Sequence, residues 1–211
     1  MRLRITFQKT GEIIFTSALD LQKIWERSLR RAQLMVKYSE GFHPQPKIQL
    51  AVPLPLGFSG KEELIDIWFS QDYPNNEIKE KLRNALPIGI KLISIEEIPD
   101  SQKALNGRTE SAEYIVTINF EENGFPIFEK SIQNILNKNC IMRVRNKKHY
   151  DLRPLILSMK LSKKSDGNPQ IYMHLLARSG ESGRPDEVIK ELGIDPALCE
   201  IERTRIIFKN Q

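Results

Sequence analysis

The chain has 211 residues, of which 40% are hydrophobic and 28% charged. That balance allows a sizeable buried core and speaks against disorder, while no uncharged run approaches the ~20 apolar residues that a bilayer span requires. Cys140 and Cys199 lie far apart without metal-ligand spacing, and no secretory signal precedes them, so a soluble protein of the reducing cytoplasm, away from membranes, is expected. The net charge of +5 is unevenly spread: residues 1–50 carry nine Lys+Arg against four Asp+Glu, and residues 138–164 carry nine against one. The remainder is acidic, and segregation of this kind suits a polyanion-binding surface.

Arg2 to Gln8 alternates Leu3, Ile5 and Phe7 with Arg2, Arg4, Thr6 and Gln8, which predicts a strand with the second set facing outward. Over residues 17–35 the period changes: Leu21, Ile24, Trp25, Leu29, Ala32 and Met35 make one helical face, and Ser17 with Asp20 suits an N-terminal cap. Prolines at 44, 46, 53 and 55 bracket a short strand at 47–52. Each fixes its own φ and keeps its predecessor out of the helical region, so GFHPQP reads as a stiff presenting loop. A strand at 63–69, a helix at 75–86 stopped by Pro87 and a strand at 89–96 complete the order βαββαβ.

The aperiodic residues 100–110 read as a linker. A similar order then returns, with a strand through Tyr114, Val116, Ile118 and Phe120 and a helix through Phe128, Ile132, Ile135 and Leu136. Strands at 141–148 and 155–162, a turn at 163–169, a strand at 171–178, a helix from Pro185 to before Gly193 and a strand at 200–208 follow. The expected fold is α+β, with two ferredoxin-like domains in tandem over 1–99 and 111–211, the second carrying an extra strand.

Two basic regions are candidate contacts for RNA or another anion. Lys23, Arg27, Arg30 and Arg31 fall on the side of the first helix away from its apolar face, and the following loop adds Lys37, His43 and Lys47. In a strand, Arg143, Arg145 and Lys147 would point to one face, followed by Lys148, Arg153, Lys163 and Lys164. Glu26 and Glu40 are available to pair some of these cations, leaving a solvated basic surface as the plainer reading. SGESGRP at 179–185, with Arg178 and Arg184, is either an anion-holding helix start or an ordinary turn and cap. His43, His149 and His174 lack metal-ligand spacing, and no nucleophile–base pair stands out, so neither a catalytic nor a metal site is expected.

The segments GFHPQPKIQLAVPLPLG, SALDLQKIWERSLRRAQL, HYDLRPLI and GRPDEVIKEL resemble an uncharacterised bacterial family whose members are fused to, or encoded beside, radical S-adenosylmethionine proteins. The resemblance runs from about residue 2 to residue 208; Asp20 matches, while Ala18 stands where the family often has histidine. It implies a radical S-adenosylmethionine protein as partner. The cluster of such an enzyme needs three thiolates, so with two cysteines no cofactor is expected in this chain. The expected function is a non-catalytic accessory module that binds RNA or another anionic substrate for that partner, in RNA modification or processing. A metal-independent endonuclease like the CRISPR repeat-processing enzymes and a protein-interaction module docking through Pro53 to Leu56 are the alternatives.

Overall fold

The alternation at the N-terminus becomes β1 (Arg2–Lys9), in which Leu3, Ile5 and Phe7 are fully buried. The computed structural model describes residues 1–119, 125–145, 147–163 and 168–209, with the side chains of all of these except 125–128 and 163. It divides into two units, Met1–Thr109 and Glu110–Gln211, of mixed α+β structure with mostly antiparallel strands and few helices.

In the first unit β1 is followed by a 3-10 turn at Gly11–Phe15, α1 (Ala18–Arg31), β2 (Ile48–Leu50), β3 (Ser59–Trp68), α2 (Asn75–Ala85) and β4 (Ile90–Glu97). The strands lie in the order β2-β3-β1-β4, every neighbouring pair antiparallel. α1 starts where the cap signal lies: the Ser17 hydroxyl accepts from the Asp20 N–H at 3.1 Å and donates to the Asp20 carboxylate at 2.7 Å. Leu21, Trp25 and Leu29 then bury one face, with Trp25 packed edge-on against Phe7 at 5.0 Å between ring centres.

The helix stops earlier than its apolar spacing predicts. Gln33 takes a left-handed φ of 53°, and the N–H groups of Gln33 and Leu34 turn back to the carbonyls of Arg30 and Leu29. This is the hydrogen-bond pattern that usually ends a helix on glycine, so a glutamine there hides the stop from the sequence. Met35 consequently leaves the core and is exposed.

A second difference concerns the polar face of β1. Arg2 and Arg4 do not face outward; both are buried against Asp66 of β3, which is fully buried. Arg2 donates to Asp66 at 2.6 and 3.2 Å, Arg4 at 2.8 and 3.0 Å. Removing one partner of such a buried group costs roughly 3–5 kcal/mol, so these two charges are committed to the fold. Arg2 reaches further, donating to the carbonyls of Gln102 at 2.5 Å and Pro99 at 3.4 Å. Gln49 accepts from the Leu105 N–H at 3.1 Å, and Leu105 in α3 (Leu105–Arg108) is buried. Gln102 and Leu105, within the stretch 100–110 read as linker for want of periodicity, therefore pack onto the first unit.

The second unit contains β5 (Thr109–Ile118), α4 (Phe125–Asn137), β6 (Met142–Arg145), β7 (Lys148–Asp151), β8 (Ile156–Lys163), β9 (Pro169–Arg178), β10 (Glu181–Ser182), α5 (Pro185–Glu191) and β11 (Cys199–Phe208). β9 pairs antiparallel with β5, β8 and β10. β11 lies beside β5; the Thr204 hydroxyl donates to the Glu113 carbonyl at 3.3 Å and the Asn119 N–H to the Leu198 carbonyl at 3.1 Å, a register that runs antiparallel. Ala112, Tyr114, Val116, Ile171, Met173, Leu175, Val188 and Ile189 are buried. The strand expected at 141–148 is instead the hairpin β6–β7, a separate two-stranded sheet. Phe120, Lys164, residues 164–167 of the expected turn and the side chains of Phe128 and Lys163 lie outside what is described.

Candidate nucleic-acid interface

The first unit has an open groove of about 710 Å³ along α1, walled by Lys23, Glu26, Arg27, Arg30, Met35 and Tyr38, with Pro46 and Ser70 also lining it. Lys23, Arg27 and Arg30 stand at helical steps of four and three, which puts them on one side. All three are exposed, and none has an ion pair among the described residues. Glu26, available in sequence to neutralise them, instead accepts from Gln22 at 3.2 Å. The walls thus carry three cations against one carboxylate.

Arg31 does not join them. One residue further round the helix, it donates to the Ala85 carbonyl at the end of α2, at 2.6 Å, and to Ser28 at 3.3 Å. Lys47 places its ammonium 5.2 Å from the Trp68 ring centre, a cation–π contact, and does not line the groove. His43 is exposed near the tip of the loop between Tyr38 and Pro46. That loop is clamped at its base by a Tyr38–Pro46 bridge, by the Ser39 N–H on the Gln45 carbonyl at 2.8 Å and by the Gln45 N–H on the Ser39 hydroxyl at 2.9 Å. Sequence reasoning missed Tyr38, Met35 and Phe42 here; the available signal was two aromatic residues in a polar Gly/Pro loop with no strand periodicity to bury them.

In the second unit the basic stripe is broken up. Arg143 pairs with Glu191 of α5 and lies 3.7 Å from Glu187. Arg153 donates to the Leu136 carbonyl at 2.7 and 3.1 Å and to the Ile156 carbonyl at 3.0 Å, tying α4 to the start of β8. Lys147 sits in the β6–β7 turn with φ of 66°, off the strand direction it was expected to share. Arg145 and Lys148 remain exposed, opposite one another in the hairpin. They line a cavity of about 740 Å³ whose other walls include Tyr150, Asp151 and Glu181.

Arg184 makes a bidentate pair with Asp186, 2.8 Å on each arm, which raises its pKa further. The glycines of SGESGRP have backbone reasons: Gly180 has φ of 85° in the turn into β10, and a Cβ at Gly183 would lie 2.9 Å from the Leu155 carbonyl. Asp151 accepts from the N–H groups of Ile141 and Arg153 at 2.8 and 2.9 Å, and these bonds hold its carboxyl below the usual range. Burial, with Asp195 nearby, pushes the Cys199 thiol up to about 11. Among the described residues no three His, Cys, Asp or Glu side chains are grouped to hold a metal, and no helix is long and apolar enough to cross a membrane. The groove's chemistry is attraction of anions beside an exposed aromatic ring.

No curated protein matches the chain. Among solved structures it is similar to a chain of a Cbf5-Nop10-Gar1 complex, at 11% identity and a TM-score of 0.51, covering 97% of this chain and 48% of that one. At that identity the likeness shows the fold alone, and this chain spans about half the length of its match. It is also similar to DyPB from Rhodococcus jostii RHA1, at 11% identity over 98% of this chain and 91% of that one, but a TM-score of 0.24 carries no argument. The family match is of another order, because it runs over residues 2–185 and so takes in the α1 groove, the clamped loop and the β6–β7 hairpin together: the chain belongs to DUF2344, a family described as an uncharacterized protein conserved in bacteria.

Proposed function

We propose that this chain is a non-catalytic accessory module that binds RNA, or another phosphate-bearing substrate, along the α1 groove and works with a radical S-adenosylmethionine partner in RNA modification or processing. The observation that carries the reading is the convergence of Lys23, Arg27 and Arg30 on one open groove with no ion pair among the described residues. Arg30 suits the last turn of α1, but the row as a whole is unfavourable to the helix, since like charges at these spacings cost roughly 0.2–0.5 kcal/mol per pair. A phosphate chain lying along α1 turns the repulsion into attraction and releases counterions. Arg145, Lys147 and Lys148 of the hairpin supply a weaker secondary contact.

The orders β2-β3-β1-β4 and β8-β9-β5-β11 support a tandem ferredoxin-like arrangement, with β6–β7 as an insertion in the second domain. The partner follows from the sequence resemblance, and the cluster chemistry falls to it because Cys140 and Cys199 are one thiolate short of the three required. The same reading puts the protein in the cytoplasm.

The test is binding to total cellular RNA at low ionic strength, followed as salt is raised. Combining Lys23→Glu, Arg27→Glu and Arg30→Glu is expected to lower affinity by at least ~100-fold and to flatten the slope of log K against log salt by roughly 2, the value for three lost single-strand phosphate contacts. Absence of salt-sensitive binding by the wild type, or unchanged binding by the triple variant at an unchanged melting temperature, overturns the reading.

A further inference from the structure

The groove joins its cations to an exposed aromatic ring, and the loop that carries this ring holds a second one that the fold leaves uncovered. Tyr38 lines the groove with 58% of its surface exposed. Phe42 is entirely exposed at the loop tip, between Gly41, whose φ is 134°, and the His43–Pro44 pair. A phenylalanine held fully in water has no folding role, because its apolar surface contributes to stability only when buried. The loop is not loose chain that happens to carry it: the Tyr38–Pro46 bridge and the two Ser39–Gln45 hydrogen bonds close its base, and prolines at 44 and 46 stiffen one arm. One ring, Tyr38, thus lies in the wall with the three cations, and a second, Phe42, is carried four residues on in the same clamped loop, at little ordering cost on binding.

The kind of nucleic acid follows from what each part can touch. A duplex offers phosphates and sugars on its outside and keeps its bases stacked within, so the cations suit it but the rings gain nothing. A single strand splays unpaired bases whose π faces stack on aromatic side chains whatever their sequence, while its phosphates track a basic groove. Glu26, the one carboxylate in the wall, is an acceptor that duplex phosphates would avoid and an exposed base amine would use.

We propose that the α1 groove takes single-stranded RNA, with unpaired bases stacked on Tyr38 and Phe42 while Lys23, Arg27 and Arg30 hold the flanking phosphates. This rests on the RNA reading above and narrows it to one substrate class. Stacking of a base on such a ring is worth roughly 5- to 150-fold in affinity, so both rings matter measurably.

The experiment compares a labelled 12-nucleotide single-stranded RNA of mixed sequence with the same sequence as a duplex, by fluorescence anisotropy on the full chain. The wild type is expected to prefer the single strand by at least ~10-fold. Tyr38→Leu with Phe42→Leu should weaken the single strand by at least ~30-fold, leave duplex binding unchanged and leave the salt slope unchanged, since no phosphate contact is lost. Phe42→Ser alone, at a site with no buried surface to lose, keeps the test valid if the double variant fails to fold, and a drop of ~5-fold or more is expected. Equal binding of duplex and single strand, or ring variants that bind the single strand as well as the wild type while Lys23→Glu/Arg27→Glu/Arg30→Glu still abolishes binding, overturns this inference and leaves the RNA reading intact. A wild type that binds neither form at low salt overturns both.

Discussion

Two cavities of nearly equal size, about 710 Å³ along α1 and about 740 Å³ beside the β6–β7 hairpin, lie in the two stretches of chain where basic residues crowd. Along α1 three cations face one carboxylate; beside the hairpin Arg145 and Lys148 face Asp151 and Glu181. The difference lies less in how many cations the sequence supplies than in what the fold does with them. Arg143 and Arg153 are consumed by Glu191 and by main-chain carbonyls, whereas Lys23, Arg27 and Arg30 are left facing water. A basic stretch is a binding surface only for the charges that folding leaves over.

The comparison breaks most readily on matched charge reversals. Arg145→Glu with Lys148→Glu should reduce RNA affinity by no more than ~10-fold, about 1.4 kcal/mol. The reversal of the α1 cations is expected to cost at least ~100-fold, about 2.7 kcal/mol, and the two are read by the same salt titration. Equal losses would mean that the hairpin cations contribute as much to RNA binding as those of the groove. Arg143 is left out of the hairpin variant deliberately, because reversing it places a third carboxylate beside Glu187 and Glu191 and so perturbs folding instead of testing binding.

Stability and binding should separate at Arg153. Arg153→Met keeps the length of the side chain but leaves the Leu136 and Ile156 carbonyls without their donor. The expected loss is about 2 kcal/mol of unfolding free energy, at the lower end for several bonds to a charged group because the site is only half-buried. Urea denaturation measures it. RNA affinity per folded molecule should not change, and if it falls tenfold at unchanged stability, Arg153 belongs to the binding surface.

The sequence carries the elements better than it carries the uses of charge. The Ser17 cap, the Leu21, Trp25 and Leu29 face and the alternation of β1 are local patterns, so spacing alone reveals them. Arg2, Arg4, Arg143 and Arg153 look like surface residues because their partners are distant in the chain: Asp66 lies 64 residues from Arg2 and Glu191 lies 48 from Arg143. An aspartate inside the apolar run Leu64 to Phe69 was the one visible hint of the first. Which cations share the groove is also hidden, since Arg31 is about 100° of helix rotation from Arg30 and that step alone turns it to Ala85. Tyr38 and Phe42 escape because no period marks a loop residue as exposed or buried.

The smallest effect concerns the backbone at each region's edge. Gln33, where α1 ends and the groove loop begins, and Lys147, in the hairpin turn, are non-glycine residues with positive φ, 53° and 66°. The Cβ penalty of the left-handed region is roughly 1–2 kcal/mol, partly offset because glycine loses more freedom on folding. Gln33→Gly and Lys147→Gly should therefore each stabilise the protein by about 0.5 kcal/mol, seen as a rise of a degree or two in melting temperature for a chain of this size. At Gln33 the change removes no charge, so RNA affinity should stay the same or rise slightly as the loop base firms. At Lys147 it removes an exposed cation, so the variant reads binding and folding at once. If Lys147→Gly stabilises the fold while lowering affinity and the salt slope as much as loss of an α1 cation does, the hairpin keeps a working phosphate contact and the division between the two regions fails at that residue.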